Sequence, residues 1–188
     1  MRALPVLFLL SALFLPAAQA EPGPADDIKV VVQRKGEEVL VDAEFPVSAT
    51  PQEAWAVMTD FGHMAEFISN LQASSVIDRS ADTVRVSQKG KAAYGPMSFS
   101  FDTIREIHLT PYEKIQSRLI SGSMKKLEGK TELVPDGEGI RIVYHSASIP
   151  NAWIPPVIGP AFIERETREQ FREMRQEILR RKQAGAGK

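Results

Sequence analysis

The strongest periodic pattern in this sequence lies at its C-terminal end. From Pro160 onward, apolar or small side chains recur at steps of three or four residues, as on one face of an α-helix: Ile163, Thr167, Phe171, Met174 and Ile178. Most other positions are charged, and favourably ordered i,i+4 pairs join Glu164 with Arg168 and Glu177 with Arg181. Because each pair contributes only about 0.2–0.5 kcal/mol, packing of the apolar face must hold this helix. We expect a helix over 160–182 around which the rest of the chain folds.

Upstream of this helix, stretches of alternating apolar and polar residues predict β-strands. Short turn sequences such as Lys35-Gly36-Glu37 and Asp136-Gly137-Glu138-Gly139 separate them. Turns this short connect antiparallel neighbours, so the pattern predicts a meander rather than β-α-β units. The predicted strands are 28–32, 39–47, 74–78, 83–89, 97–109, 114–120, 125–134 and 140–149. The first is expected to be no more than a ragged edge, which leaves about seven strands.

Two short helices are predicted between the second and third of these strands. Thr50-Pro51-Gln52-Glu53 has the sequence of a capping box with proline in the first turn. Ala54, Trp55 and Met58 would form the inner face of the first helix. A second helix over 63–68 follows. Neither helix is long enough to bury much surface against the other, so we expect both to close one end of the sheet.

The inward-facing strand positions mix large and small side chains. Phe99 and Phe101 alternate with serines and an aspartate, and Leu127 alternates with charged residues but shares its face with Gly129 and Thr131. Small inward residues leave room either for sheet curvature or for an internal space, and the pattern does not decide between them. The last strand changes parity around Val143, so either Tyr144 or His145 points inward.

The N-terminal residues have the features of a secretory signal peptide. A basic start and an apolar run over 3–14 precede Ala18-Gln19-Ala20, which predicts cleavage after Ala20. An uncleaved anchor is the alternative, but the run is shorter than the ~20 residues of a membrane-spanning helix. We therefore predict a signal peptide over 1–20, a flexible spacer over 21–27, one domain over 28–183 and a disordered tail over 184–188. The mature protein would be periplasmic or secreted.

Composition and motifs exclude several classes of function. The 23 basic and 24 acidic residues nearly balance, which gives no field for nucleic acid, and the absence of cysteine excludes disulfides and thiolate metal sites. No Gly-x-Ser-x-Gly motif is present, and the histidines lack metal-ligand spacing. We expect no metal and no cofactor. Arg118, Tyr144 and His145 could form an acid–base cluster in the cavity, although the pattern favours a solvated Arg118 and a rim position for His145.

Several motifs resemble one known superfamily. The stretch Ala49-Thr50-Pro51-Gln52-Glu53-Ala54-Trp55, then Thr59-Asp60-Phe61 and Met64-Ala65-Glu66-Phe67, resembles the start of START-like (SRPBCC) domains, also called the polyketide cyclase/dehydrase and lipid-transport superfamily. The strands beginning at Lys126 and Gly139 are also similar to it. The most similar branch is that of bacterial coenzyme Q-binding START domains, although Thr131 stands where that family has an aromatic residue.

The resemblance implies an α+β helix-grip fold, in which a curved antiparallel sheet wraps a long C-terminal helix. It also implies a cavity between sheet and helix for an apolar molecule, entered near the start of the helix. The residues expected to line it are Phe67, Phe99, Phe101, Leu119, Leu127, Tyr144, Trp153, Phe162 and Phe171. Any single one of them is more often ordinary core than a ligand contact.

The segment 153–158, Trp-Ile-Pro-Pro-Val-Ile, has three possible roles. It could be a lid over the cavity, a surface for transient membrane or partner contact, or packing across the end of the sheet. Our prediction from the whole sequence is an exported carrier of a lipid or isoprenoid quinone that performs no chemistry. The alternatives are a polyketide cyclase or dehydratase that uses the polar cluster, and a protein-binding adaptor.

Overall fold

The computed structural model describes residues 27–94, 97–151 and 159–186. The elements in chain order are β1 (Lys29–Lys35), β2 (Glu38–Val47), α1 (Pro51–Met58), α2 (Met64–Phe67), β3 (Leu71–Arg79), β4 (Thr83–Tyr94), β5 (Met97–Thr110), β6 (Lys114–Gly122), β7 (Met124–Asp136), β8 (Gly139–Pro150) and α3 (Gly159–Ala186). The eight strands form one sheet in the order β1-β2-β8-β7-β6-β5-β4-β3. This curved, open antiparallel sheet with a C-terminal helix confirms the predicted fold.

The β1–β2 hairpin joins the rest of the sheet through a pairing between distant parts of the chain. Strands β3 to β8 follow each other as the predicted meander, and β8 then pairs with β2 from Val39 opposite Ser148 to Val47 opposite Ile140. Burial alternates along β2, where every second side chain is buried. The prediction of a ragged first strand was wrong: β1 pairs with β2 from Lys29 to Lys35. An edge strand pairs through its backbone, so its polar second half does not prevent it from forming.

The predicted capping box starts α1. The Glu53 backbone N–H donates to the Thr50 hydroxyl at 3.2 Å, and the Thr50 N–H donates to the Glu53 carboxylate at 2.8 Å. The buried face of α1 consists of Ala54, Val57 and Met58. Trp55, expected on that face, is only partly buried and meets Tyr112 edge-on at 5.8 Å between ring centroids.

Helix α3 lies against the inner face of the sheet and is tied to both of its edges. Ile178 is fully buried, and Phe171 and Met174 pack partly buried against the core. On the β1 side, Arg168 donates to the carbonyl of Ile28. On the opposite side, Arg165 donates to the carbonyl of Ala93 at 2.5 Å. These polar contacts fix where the apolar face of the helix meets the sheet.

Helix α3 is also longer than predicted. It ends at Ala186, so residues 184–186, expected to belong to a disordered tail, continue the helix. Two of these three residues are alanine, the strongest helix former. The predicted signal peptide over 1–20 and the segment 153–158, which includes Trp153, lie outside the described residues. Within the described part of the chain, no helix is long and apolar enough to cross a membrane.

Candidate ligand-binding site

Aromatic side chains from the sheet and from α3 meet between the two layers. The ring of Phe171 lies between Phe45 and Tyr144, with centroids 5.1 Å from each. Nearer the start of α3, Phe162 contacts Phe99 at 5.3 Å. Such separations are typical of favourable aromatic pairs. Four of the predicted lining residues are thus brought together in two clusters: Phe99, Tyr144, Phe162 and Phe171.

The inner face of the sheet is unevenly buried along its strands. We call one part the buried end; it consists of Ile107, Ile115, Leu133 and Ile142, which are at most 9% exposed. At the other, the half-buried end, apolar side chains keep partial exposure: Phe99, Phe101, Leu119 and Leu127. All four belong to the predicted lining set. The half-buried end is therefore the part of the inner face where apolar surface is still available to a ligand.

Phe67 and Phe101 are held by specific neighbours. Phe67, in α2, is partly buried, and the guanidinium of Arg181 lies 5.5 Å from its ring centroid. Phe101 stands opposite Gly90 in the sheet. A Cβ built on Gly90 would lie 2.3 Å from Cζ of Phe101 and 2.5 Å from the carbonyl oxygen of Asn70. At this position, the missing side chain therefore makes room for an aromatic ring rather than for an empty space.

One polar residue of the inner face was missed by the sequence analysis. Strand β5 continues the alternation of Phe99 and Phe101 through Thr103, which is buried, to Arg105. Arg105 is partly buried, and its Nε atom is shielded from solvent and has no hydrogen-bond partner among the described residues. The same two-residue period that identified the phenylalanines could have placed Arg105 inside.

A chain of hydrogen bonds positions Arg105. Its Nη2 donates to Oε1 of the buried Gln88. The Gln88 amide donates in turn to the hydroxyl of Ser74 at 3.0 Å, and that hydroxyl donates to the carbonyl of Phe61 at 2.5 Å. Each member of this chain orients the next. The direction of the guanidinium is therefore set by backbone that follows α1.

The charge of Arg105 has no counter-ion in the described part of the chain. Burial lowers the pKa of the Arg105 guanidinium, and the charge interaction with Tyr144 acts in the opposite direction. No described carboxylate forms a salt bridge with it. A buried charge without a partner is costly, so proteins usually pair or hydrogen-bond such groups fully. Arg105 is an exception to this rule among the described inward residues of β5.

The predicted acid–base cluster is divided between the two faces of the sheet. Tyr144 points inward, whereas Arg118 and His145 lie on the outer face. Arg118 Nε donates to Glu106 at 3.0 Å, and this hydrogen bond lowers the pKa of Glu106. His145 Nδ1 lies 2.5 Å from the carboxylate of Asp42. The side chain of Arg118 is 64% exposed and that of His145 is 49% exposed. This agrees better with the alternative, in which both lie outside the cavity, than with the acid–base cluster.

Two depressions are formed by described residues. One of about 170 Å³ lies where the β1–β2 hairpin meets the start of α3, between Val32, Val39, Pro150 and Ile163. The other, of about 550 Å³, is a shallow groove on the outer face beside Arg118 and His145. The first lies where the resemblance predicts the mouth of the cavity. None of its described lining residues belongs to the predicted set.

No group of metal-ligating side chains is found among the described residues.

The fold and the aromatic layer under α3 define a START-like, helix-grip protein. The chain belongs to the family described as polyketide cyclase / dehydrase and lipid transport, whose model matches residues 47–175. Among curated proteins, none matches this sequence significantly.

Similar solved structures include both carriers and an enzyme. The STAR-related lipid transfer protein of Xanthomonas axonopodis has a TM-score of 0.70 at 14% identity, covering 82% of this chain and 95% of that one. The human StAR-related lipid transfer protein 5 has a TM-score of 0.62 at 12% identity, with 82% and 87% covered. The Zhui aromatase/cyclase of a Streptomyces species has a TM-score of 0.65 at 16% identity, with 77% and 95% covered. At these identities the likeness concerns the fold.

Proposed function

We propose that this protein is a carrier that holds a hydrophobic small molecule, a lipid or an isoprenoid quinone, between α3 and the inner face of the sheet. The observation that carries the proposal is the half-buried end, where Phe99, Phe101, Leu119 and Leu127 keep apolar surface that the packed core does not cover. Covering such surface gains about 25 cal/mol for each Å² removed from water. An apolar ligand can therefore bind there with few polar anchors.

The surroundings of the half-buried end fit the binding of a ligand from the start of α3. Phe162 of α3 contacts Phe99, so both layers contribute apolar groups at this point. The depression near Pro150 and Ile163 adjoins the same end of the helix. The family of the chain includes lipid transport in its description. A kinship with coenzyme Q-binding START domains remains a prediction from the sequence motifs, as do the export of the protein and a membrane contact through residues 153–158.

The cyclase or dehydratase alternative has less support. It required an inward acid–base cluster, whereas on the outer face Arg118 forms an ion pair with Glu106 and His145 a hydrogen bond with Asp42. The inward Arg105 has no described carboxylate beside it that could act as a general base. Unlike the enzyme alternative, the carrier proposal requires no catalytic residues between the sheet and α3.

The proposal is tested by the lipid that accompanies the protein. Wild type purified without detergent should yield a lipid or quinone in its organic extract, measured by mass spectrometry. Phe101→Asp places a carboxylate in the apolar face, where an unpaired charge is costly, and should reduce the retained lipid at least about tenfold. Arg118→Ala and His145→Ala, on the outer face, should retain as much lipid as wild type.

Folding of each variant is checked first by circular dichroism. If wild type carries no lipid and takes up none from liposomes, the carrier proposal is wrong. If only the Arg118 and His145 variants lose the ligand, the enzyme alternative replaces it.

A further inference from the structure

Arg105 is a charged group on the inner face whose chemistry the carrier proposal does not use. Its guanidinium has five N–H donors. Among the described residues, Gln88 accepts a hydrogen bond from it. The Nε–H, which is shielded from solvent, donates to none of them. A shielded donor on a cation, left without an acceptor, costs free energy in the unliganded protein. Because such a group contributes little to the stability of the fold, its presence points to a role in binding.

Arg105 lies close to the proposed ligand-binding surface at the half-buried end. Along β5 it follows Phe99, Phe101 and Thr103 on the same face and precedes Ile107 of the buried end. It therefore lies where the half-buried end meets the buried end. A molecule that covers the phenylalanines and extends inward along β5 would bring its far end to the guanidinium.

The orientation of the guanidinium is fixed before any ligand binds. The hydrogen bonds from Arg105 through Gln88 and Ser74 to the carbonyl of Phe61 hold the Nη2 edge. The Nε–H donates to none of the described residues. A guanidinium held in one orientation loses little side-chain entropy when it forms further hydrogen bonds, and its planar fork matches the oxygens of carboxylates and phosphates. Uncharged acceptors would leave the positive charge uncompensated.

We propose that the ligand is an anionic amphiphile, whose carboxylate or phosphate pairs with Arg105 while its apolar chain covers Phe99 and Phe101. This inference rests on the proposed carrier function and narrows it. A neutral isoprenoid quinone would satisfy the apolar face but would not supply the counter-charge that Arg105 lacks among the described residues. The ligand's head would lie inward, at the buried end, and its chain would extend toward the start of α3.

Calorimetric titration of the full protein with three probes of equal chain length tests this inference: dodecanoate, dodecyl phosphate and 1-dodecanol, each below its aggregation concentration. Wild type should bind at least one anion about 10- to 100-fold more tightly than the alcohol, as charge-assisted hydrogen bonds predict. The stronger of the two anions identifies the head group. In Arg105→Gln and Arg105→Met the ratio should fall to about one, with alcohol binding unchanged.

Arg105→Lys, which keeps the charge but not the fork, should retain part of the preference for the anion. Arg118→Gln on the outer face is the matched control and should keep the full preference. Equal binding of anion and alcohol by wild type would overturn the inference while leaving the carrier function intact. The inference would also be overturned if folded Arg105→Gln and Arg105→Met both still bound the anion more tightly than the alcohol. If none of the probes binds wild type, the carrier function itself fails.

Discussion

At the scale of single residues, Gly90 shows how closely the inner face is packed. The ring of Phe101 and the carbonyl of Asn70 occupy the positions around a Cβ at Gly90. One of these groups is the backbone of Asn70, directly before β3, so it cannot move aside as the end of a flexible side chain could. A glycine here is therefore required by the approach of its neighbours rather than by an unusual backbone conformation.

Gly90→Ala should lower the free energy of unfolding by about 1–3 kcal/mol, because the added methyl group overpacks the contact with Phe101. Urea denaturation measures the change. Gly62→Ala is the matched control, since no atom lies within 4 Å of a Cβ at that position. It should change stability by less than about 0.5 kcal/mol. Equal losses in the two variants would contradict the contact described here.

Individual inward residues were only partly predictable from sequence. The alternation of β5 identified Phe99 and Phe101, but a charged residue in the same period was not considered inward. Arg105 breaks the usual relation between charge and exposure, as functional groups often do. In β8, the apolar Val143 made the parity appear to change. The structure keeps one parity throughout, with Ile142 and Tyr144 inward and Val143 on the opposite face.

At the scale of elements, the C-terminal turns of α3 are anchored by a network of charges. Glu177 is buried and accepts hydrogen bonds from Arg180 at 2.6 Å and from Arg181 at 2.6 Å. Arg181 also donates to Asp60, just after α1, at 2.8 Å. The hydrogen bond from Arg180 is the main cause that lowers the pKa of Glu177 to about 2; burial opposes it, and Arg181 reinforces it. The network joins the helix to the segment between α1 and α2.

Acid should weaken this anchor in a defined pH range. The folded-state pKa of Glu177 is about 2, against an ordinary value of 4.5. Its contribution to stability is therefore present above about pH 4.5 and is lost as the pH falls toward 2. The loss should be on the order of 2 kcal/mol in the free energy of unfolding. Denaturant titrations at several pH values between these limits measure it.

Glu177→Gln should be less stable than wild type at neutral pH and should show a smaller further loss in acid. Glu169→Gln, a partly exposed position on the same helix, should follow the wild-type pH profile within about 0.5 kcal/mol. If Glu177→Gln and wild type lose stability in parallel, the Glu177 ion pairs do not stabilise the fold.

The elements themselves were largely predictable, and their ends were not. The period of α3 and the capping box of α1 are local signals, so Thr50 and Glu53 were correctly assigned from sequence. Strand β1 was underestimated because its second half lacks apolar residues, although backbone pairing with β2 does not require them. Trp55 was expected on the inner face of α1; it packs partly buried against the core and also meets Tyr112 from the β5–β6 turn.

At the scale of the whole molecule, the predicted leader determines the compartment in which a carrier would act. If residues 1–20 are a signal peptide, the exported protein begins at Glu21. Intact-mass measurement of protein recovered from the periplasm or the medium should therefore give the mass of residues 21–188. A mass that includes the leader would contradict both the cleavage site and the proposed localisation.

The pairing partner of β2 could not be deduced from periodicity. Alternation indicates which face of β2 is buried, but it contains no information about which strand lies beside it. That partner is β8, a neighbour that the sequence analysis did not predict. The distribution of buried and half-buried residues along the inner face also depends on this arrangement, because α1, α2 and the end of α3 cover only one part of it.

The pairing of β2 with β8 also has a kinetic consequence. It joins Val39 to Ser148 and Val47 to Ile140, so about half of the chain must form a loop before these hydrogen bonds can be made. Loop closure of this length costs entropy before any contact compensates for it, and folds rich in such pairings reach the native state slowly. During synthesis, the β1–β2 hairpin would have to wait for β8 before its inner edge is paired. Until then it presents an unpaired edge, the kind of surface that chaperones commonly protect.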